Sequence, residues 1–208
     1  MRISTKKSKQ RARGRPRNYD PDEAMVRATE VFWDAGYCGA SLGDISEATR
    51  MNRPSLYNAF GDKRKLYLSA LDHYREMGRN AMREALSHEV PFEEALRRVY
   101  LRAISIYLAG TRGARGCFLI GTAATEAVND TKIRKQLADG LHELDELLEA
   151  RIRHALDAGE FRSRLEPGDL ARLACGIMNS LALRARAGDR RGVLEATAEA
   201  GVRLICGE

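Results

Sequence analysis

The feature that most constrains this chain is a run of apolar residues spaced three or four positions apart. Between Thr131 and Leu156 they fall at Ile133, Leu137, Leu141, Leu144, Leu148, Ile152 and Ala155. That spacing keeps one stripe along a helix and scatters the same residues over both faces of a strand. It recurs elsewhere between local stop signals. Ala, Leu, Arg and Glu are abundant, aromatics make up only 6% of the 208 residues, and Gly and Pro contribute 18 and 5. Such a chain is helix-forming and lacks the β-branched runs that a sandwich or barrel needs. Hydrophobic residues at 44% and charged residues at 31% are ordinary for a globular protein. An all-α fold of about nine helices is expected.

The helix starts carry recognisable caps. Asp20 precedes Pro21, an N-cap with proline at the first helical position, and Ala24, Met25, Ala28, Val31, Phe32 and Ala35 follow as far as Gly36. Ser41, with Asp44 three residues on, caps a short second helix ending near Thr49. Asn52 caps a third through Phe60, and Asp62 a fourth from Lys63 to about Leu86. Further helices are expected at 92–110, 116–128, 131–156, 167–187 and 191–206. The helix after Pro167 has a neighbouring face of small residues, Cys175, Gly176, Asn179 and Ser180, which permits close helix approach.

Charge is unevenly distributed. Residues 1–17 carry eight basic side chains and no acidic one, and setting those aside leaves 27 basic against 29 acidic residues. A +8 arm poor in apolar residues cannot bury enough surface to fold alone, and its natural partner is a polyanion. No apolar run approaches the roughly 18 residues of a membrane span, and no secretory h-region follows the basic start. Cys38, Cys117, Cys175 and Cys206 form no CxxC pair, which suits a reducing cytoplasm. His73, His88, His142 and His154 lack metal-ligand spacing, so no metal and no cofactor are expected. Phosphate-binding glycine motifs and nucleophile elbows are absent and the acidic pairs look like solvated helix faces, so no catalytic residue is assigned.

Two short helices joined by a tight turn form a helix-turn-helix arrangement, in which the first braces the second against the DNA major groove. The stretch GRPRNYDPDEAMVRATEVFWDAGYCGASLGDISEATRMNRPSLYNAFGDKRKLYLSAL, residues 14–71, resembles the N-terminal domain of TetR/AcrR-type bacterial transcriptional regulators. The resemblance rests on Phe32, Gly36-Tyr37, Ser41 with Ile45, Leu56-Tyr57 with Phe60, and Lys63 followed by Leu66. It departs at Arg50, where the family usually has glycine.

The resemblance implies three regions: an arm (1–17), a DNA-binding domain (18–78, motif about 41–60) and an effector-binding and dimerisation domain (79–208). It makes Arg53, Pro54, Ser55, Tyr57 and Asn58 the base-facing set, and Ser41, Tyr57 and Lys63 the phosphate contacts. Their chemistry agrees: Arg53 can pair bidentately with guanine, and Asn58 can pair with adenine or hold a phosphate. Arg11, Arg13, Arg15 and Arg17 would enter the flanking minor groove. The stretch Arg115 to Ile120 is also similar to a GC-L-x segment in one branch of the family.

By the same resemblance the last two helices pair with a second copy as a four-helix bundle. Leu173, Gly176, Ile177, Ser180, Leu181, Val202 and Ile205 are the interface candidates. Movement of the fourth helix on effector binding would then release DNA. Tyr100, Ile104, Tyr107, Cys117, Phe118, Phe161 and Met178 are the candidates for an effector pocket. Cys117 stands near a helix start beside Arg112 and Arg115, features that lower a thiol pKa, so an electrophile- or oxidant-sensing thiol is an alternative to plain packing. The expected function is a homodimeric repressor of a pseudo-palindromic operator, released by a small apolar effector. A sequence-tolerant architectural DNA binder using the arm is the alternative of another class.

Overall fold

The computed structural model describes residues 20–110 and 113–207. The arm arginines Arg11, Arg13, Arg15 and Arg17 therefore lie outside the described residues, as does Arg112. Nine α-helices and one π-helical turn follow one another, with no strand among the described residues.

Helix α1 spans Pro21–Gly39, α2 Leu42–Thr49, α3 Arg53–Phe60 and α4 Lys63–Ala85. Each begins where a short polar side chain satisfies an orphan N–H. The carboxylate of Asp20 accepts from Asp22 N at 2.9 Å, Asn52 Oδ1 from Ser55 N at 2.9 Å, and Asp62 Oδ1 from Lys65 N at 2.8 Å. Ser41 and Asp44 form a reciprocal capping box. Gly36 (φ 74°) breaks the helical backbone where expected, and a further turn continues to Gly39.

Helix α5 spans Phe92–Leu108, α6 Ala124–Glu126, α7 Thr131–Asp157, α8 Pro167–Arg186 and α9 Arg191–Cys206. The single helix expected over 116–128 is instead a loop, a π-helical turn Leu119–Ala123 and the short α6. Gly116 takes a left-handed conformation (φ 64°) that cannot start a helix, and Gly121 and Thr122 are weak helix formers. Thr122 Oγ1 back-bonds to Phe118 O at 2.9 Å, a competitor for the regular ladder.

Two cores result. One joins α5, α7, α8 and α9 around Tyr100, Ile104, Leu148, Ile152, Leu181 and Val202. The other joins α1–α4 around Phe32, Ile45, Leu56 and Tyr67, and it takes in Phe118, Leu119, Ala123, Ala127 and Ile133 from the second half of the chain. Phe118 is the hinge of this sharing. Its ring meets Tyr67 and Tyr74 edge-on at 5.7 and 5.6 Å and lies 6.1 Å from Trp33. Burial of one such ring contributes about 1.5–3 kcal/mol, so the helix-turn-helix unit is anchored to the body by packing. Trp33 Nε1 donates to Gly116 O at 3.0 Å, and the Tyr67 and Thr122 hydroxyls bond at 2.8 Å across the same boundary.

Candidate nucleic-acid interface and ligand cavity

Eight residues give α3 little more than two turns, so burying one side chain fixes what the rest can face. Leu56 and Ile45 are buried together between α1, α2 and α3, and Met51 closes the turn between them. Arg53, Pro54 and Asn58 are consequently exposed, and Tyr57 keeps 50% of its surface open. Tyr57 is therefore not a core residue, although it stands between Leu56 and the half-buried Phe60. Ser55 is half-buried and contributes its N–H to the Asn52 cap.

The turn keeps its left-handed residue. Arg50 lies at φ 55°, ψ 27°, and it is the sole non-glycine at positive φ among the described residues. Its N–H bonds to Glu47 O and Ser46 O, and Thr49 Oγ1 donates to Ile45 O at 2.7 Å. Arg27 Nη1 donates to Ala48 O at 3.2 Å, tying the end of α2 to α1.

Of the phosphate candidates, Ser41 is exposed; its oxygen accepts from Asp44 N, which leaves the hydroxyl proton to donate outward. Lys63 opens α4, with its ammonium 4.7 Å from the centre of the Tyr37 ring. Burial, then the nearby Asp62 and Glu126 carboxylates, raises the Tyr37 pKa. One α4 N–H at that end is already taken by Asp62, so fewer backbone donors remain there for a phosphate than the sequence suggested. Arg64, next along, forks onto Asp130 with Nη2 to Oδ1 at 2.8 Å. That bond, aided by the Ile133 and Lys132 N–H groups, lowers the Asp130 pKa to about 2 and pins the start of α4 to the start of α7.

A cavity of about 110 Å³ lies between α4, α5, α7, α8 and the 117–120 segment. Tyr107, Cys117 and Met178 line it. The other pocket candidates pack elsewhere. Tyr100 is wholly buried and donates to Ala174 O at 3.1 Å, and Ile104 is wholly buried in the same core. Phe118 belongs to the aromatic cluster of the other core, and Phe161 stacks on Phe92 at 5.4 Å. Helical periodicity shows which side of a helix faces inward, and these four meet neighbours that fill the space.

Sequence reasoning missed Tyr74, Arg75, Arg79, Arg102, Gly140 and Glu143 at the cavity. The available signal was Arg75 and Arg79 four apart on α4, one turn of a single face. Gly140 lets α7 approach closely, since a Cβ there would stand 2.6 Å from Leu119 Cδ2.

Cys117 departs from the expected activation. Tyr74 Oη donates to its sulfur at 3.3 Å, and burial raises the thiol pKa despite that bond and those from the Ile120 and Leu119 N–H groups. The Arg115 guanidinium is not available to it, because it stacks over Trp33 at 3.7 Å. A thiol held neutral in this way is a poor nucleophile.

On α8 and α9, Leu181, Val202 and Ile205 are buried in the chain's own core and do not face outward. Leu173 and Gly176 are exposed, and Ile177 and Ser180 half-exposed. They share the outer face with Leu183, Val193 and Leu204, which sequence reasoning overlooked and of which Leu204 is 69% exposed.

A brace helix that buries Ile45 and Thr49, a left-handed turn and an outward polar helix, set on a helical body with a cavity between the two, define a helix-turn-helix DNA-binding protein. The comparisons agree. Residues 25–70 match "Bacterial regulatory proteins, tetR family", and residues 93–200 match "Tetracyclin repressor-like, C-terminal domain". The chain belongs to the TetR family of transcriptional regulators. It is 30% identical over 161 residues to the uncharacterised HTH-type transcriptional regulator YezE of Bacillus subtilis, covering 77% of this chain and 81% of that one. It is 28% identical over 178 residues to the HTH-type transcriptional repressor ComR of Escherichia coli, covering 86% and 85%. Among solved structures, a cysteine mutant of the TetR family regulator CifR complexed with 26-bp operator DNA is similar at TM-score 0.77 and 30% identity, covering 91% of this chain and 98% of that one.

Proposed function

We propose that this regulator is a cytoplasmic repressor that binds a pseudo-palindromic operator as a homodimer and is released by a small molecule entering the cavity. The observation that carries the DNA-binding residues is the division of α3: Leu56 is buried, while Arg53, Pro54, Tyr57 and Asn58 remain open to solvent. Arg53, with Asn58, reads base edges; Ser41, Tyr57 and Lys63 hold phosphates and fix the register. The arginines of the arm add minor-groove and counterion-release affinity.

The outer face of α8 and α9 supports the dimer. Leu173, Gly176, Ile177, Ser180, Leu183, Val193 and Leu204 give one protomer an apolar, small-residue surface that a two-fold partner with the same face complements. Two recognition helices related in this way address two half-sites. Helix α4 carries the signal, because it starts directly after α3 and its later turns form a cavity wall at Tyr74, Arg79 and Met82. A ligand that moves this wall changes the α3 separation between protomers. We assign the protein no enzymatic activity, a reading supported by its membership of a family of regulators.

The test is selection of bound sites from a random duplex pool by purified protein, repeated with Arg53→Ala. An enriched inverted repeat that is relaxed at one position per half-site in the variant is the expected result, with a cost of about 1–3 kcal/mol at that position. Strong binding without any enriched repeat overturns the reading in favour of an architectural DNA binder.

A further inference from the structure

The cavity is lined mainly by apolar side chains, with three arginines among its lining residues. Met82, Val99, Ala103, Leu144 and Met178 supply hydrocarbon surface, whereas the lining carries three arginines, Arg75, Arg79 and Arg102, against the one carboxylate of Glu143. Their partners are unequal. Arg75 donates to both oxygens of Glu143, at 2.6 and 3.4 Å, bonds to Gln136, reaches Asp72 at 3.4 Å and lies 3.9 Å from Asp139. Its charge is compensated. Arg79 reaches Glu143 only at an oxygen that Arg75 already engages, at 3.3 Å, and its side chain is 33% exposed. Arg102, on the facing helix, pairs at 3.2 Å with the largely exposed Glu84. Two cavity-lining arginines, on α4 and α5, thus have weakly held counter-charges.

We propose that the effector is a small organic monocarboxylate whose hydrocarbon part fills the cavity and whose carboxylate is held by Arg79, with Arg102 across the mouth. This rests on the cavity being the effector site. A guanidinium presents a planar fork that matches a carboxylate, and the match strengthens beside a surface that excludes water. Size limits the tail. An engineered cavity of about 150 Å³ holds benzene, so the 110 Å³ inside the mouth takes about one ring or a chain of about six carbons. The same contact touches the α4–α7 junction. A carboxylate bound to Arg79, on the helix that follows α3, competes with the Arg79–Glu143 contact, while the Arg75–Glu143 pair stays.

The experiment is titration calorimetry of the purified full chain with benzoate, phenylacetate and hexanoate, with their methyl esters, and with toluene. Each is repeated with Arg79→Gln, Arg79→Lys and the cavity-filling Ala103→Leu, all first checked for native helicity. The acids are expected to bind at least tenfold more tightly than the esters. Arg79→Gln is expected to remove that advantage while leaving ester and toluene affinity unchanged, Arg79→Lys to restore part of it, and Ala103→Leu to abolish binding of all probes. Esters binding as well as acids, or Arg79→Gln weakening acid and ester alike, overturns the anion assignment and leaves an effector cavity for neutral molecules. If acids, esters and toluene all fail to bind, the cavity reading falls with it.

Discussion

Arg50 is the residue whose backbone conformation is most at odds with its side chain. It occupies the left-handed region at φ 55°, ψ 27° in the turn between α2 and α3. A β-carbon there crowds the following carbonyl and costs about 1–2 kcal/mol. Glycine removes that crowding but adds unfolded-state freedom worth about 0.4–1 kcal/mol. Arg50→Gly is therefore expected to stabilise the protein by about 0.8 kcal/mol, the centre of a range of about 0–1.6 kcal/mol. Arg50 is exposed, so little packing is lost with its side chain. Arg50→Ala keeps the β-carbon and is the control, expected near the parent. For a chain of this size 1 kcal/mol moves Tm by about 2–4 °C, which gives a rise of about 1–4 °C for the glycine variant. Thermal and urea unfolding followed by circular dichroism, at one fixed protein concentration because self-association shifts Tm, measures both variants. A glycine variant no more stable than the alanine variant refutes the argument that the turn stores backbone strain.

Three further outcomes are expected. Gly116→Ala should cost at least about 2 kcal/mol: alanine is strained at φ 64°, and its Cβ would stand 2.6 Å from the backbone oxygen of Ala182; Trp33, the single tryptophan and a donor to Gly116 O, reports the change by a shift in its emission, and an unchanged midpoint and spectrum would count against it. Asp130→Asn keeps an N-cap but loses the Arg64 ion pair; the folded carboxyl sits at about 2, below its ordinary 3.8, so its stabilisation is present above about pH 4 and fades as pH falls towards 2. Urea midpoints of the two proteins should converge over that window, and a gap independent of pH would contradict the pairing. Leu183→Glu with Leu204→Glu should convert the proposed dimer into monomers by sedimentation velocity and weaken operator binding, whereas a dimer unaffected by both changes would place the interface elsewhere.

Helix starts were legible in the sequence because their causes are local. Asp20 with Pro21, Ser41 with Asp44, Asn52, Asp62 and Asp130 each satisfy N–H groups within three residues of themselves, and no distant contact is needed to place them. The open face of α3 was equally legible, since a helix of two turns that buries Leu56 has few ways to orient Arg53 and Asn58. The segment from Gly116 to Ala127 was less so. Its apolar residues suit a helix, but Gly116, Gly121 and the back-bonding Thr122 redistribute the hydrogen bonds into a π-helical turn.

The sequence by itself determined the all-α class, the order of the helices and the polar face of the recognition helix, because capping and a 3.6-residue period act within one element. Only the tertiary structure decided which inward side chains meet a filled core and which border a cavity. Tyr100 and Met178 have similar apolar surroundings in the sequence, yet one donates to Ala174 O inside a packed core and the other lines a void. It also decided that Leu181 and Val202 turn inward while Leu183 and Leu204, two residues on from each, turn out. That choice depends on the angle at which α8 and α9 cross their neighbours. The cavity's charged lining was only partly visible along the chain: Arg75 and Arg79 share one face of α4, but Arg102 and Glu143 join them only when α4, α5 and α7 pack around the same space.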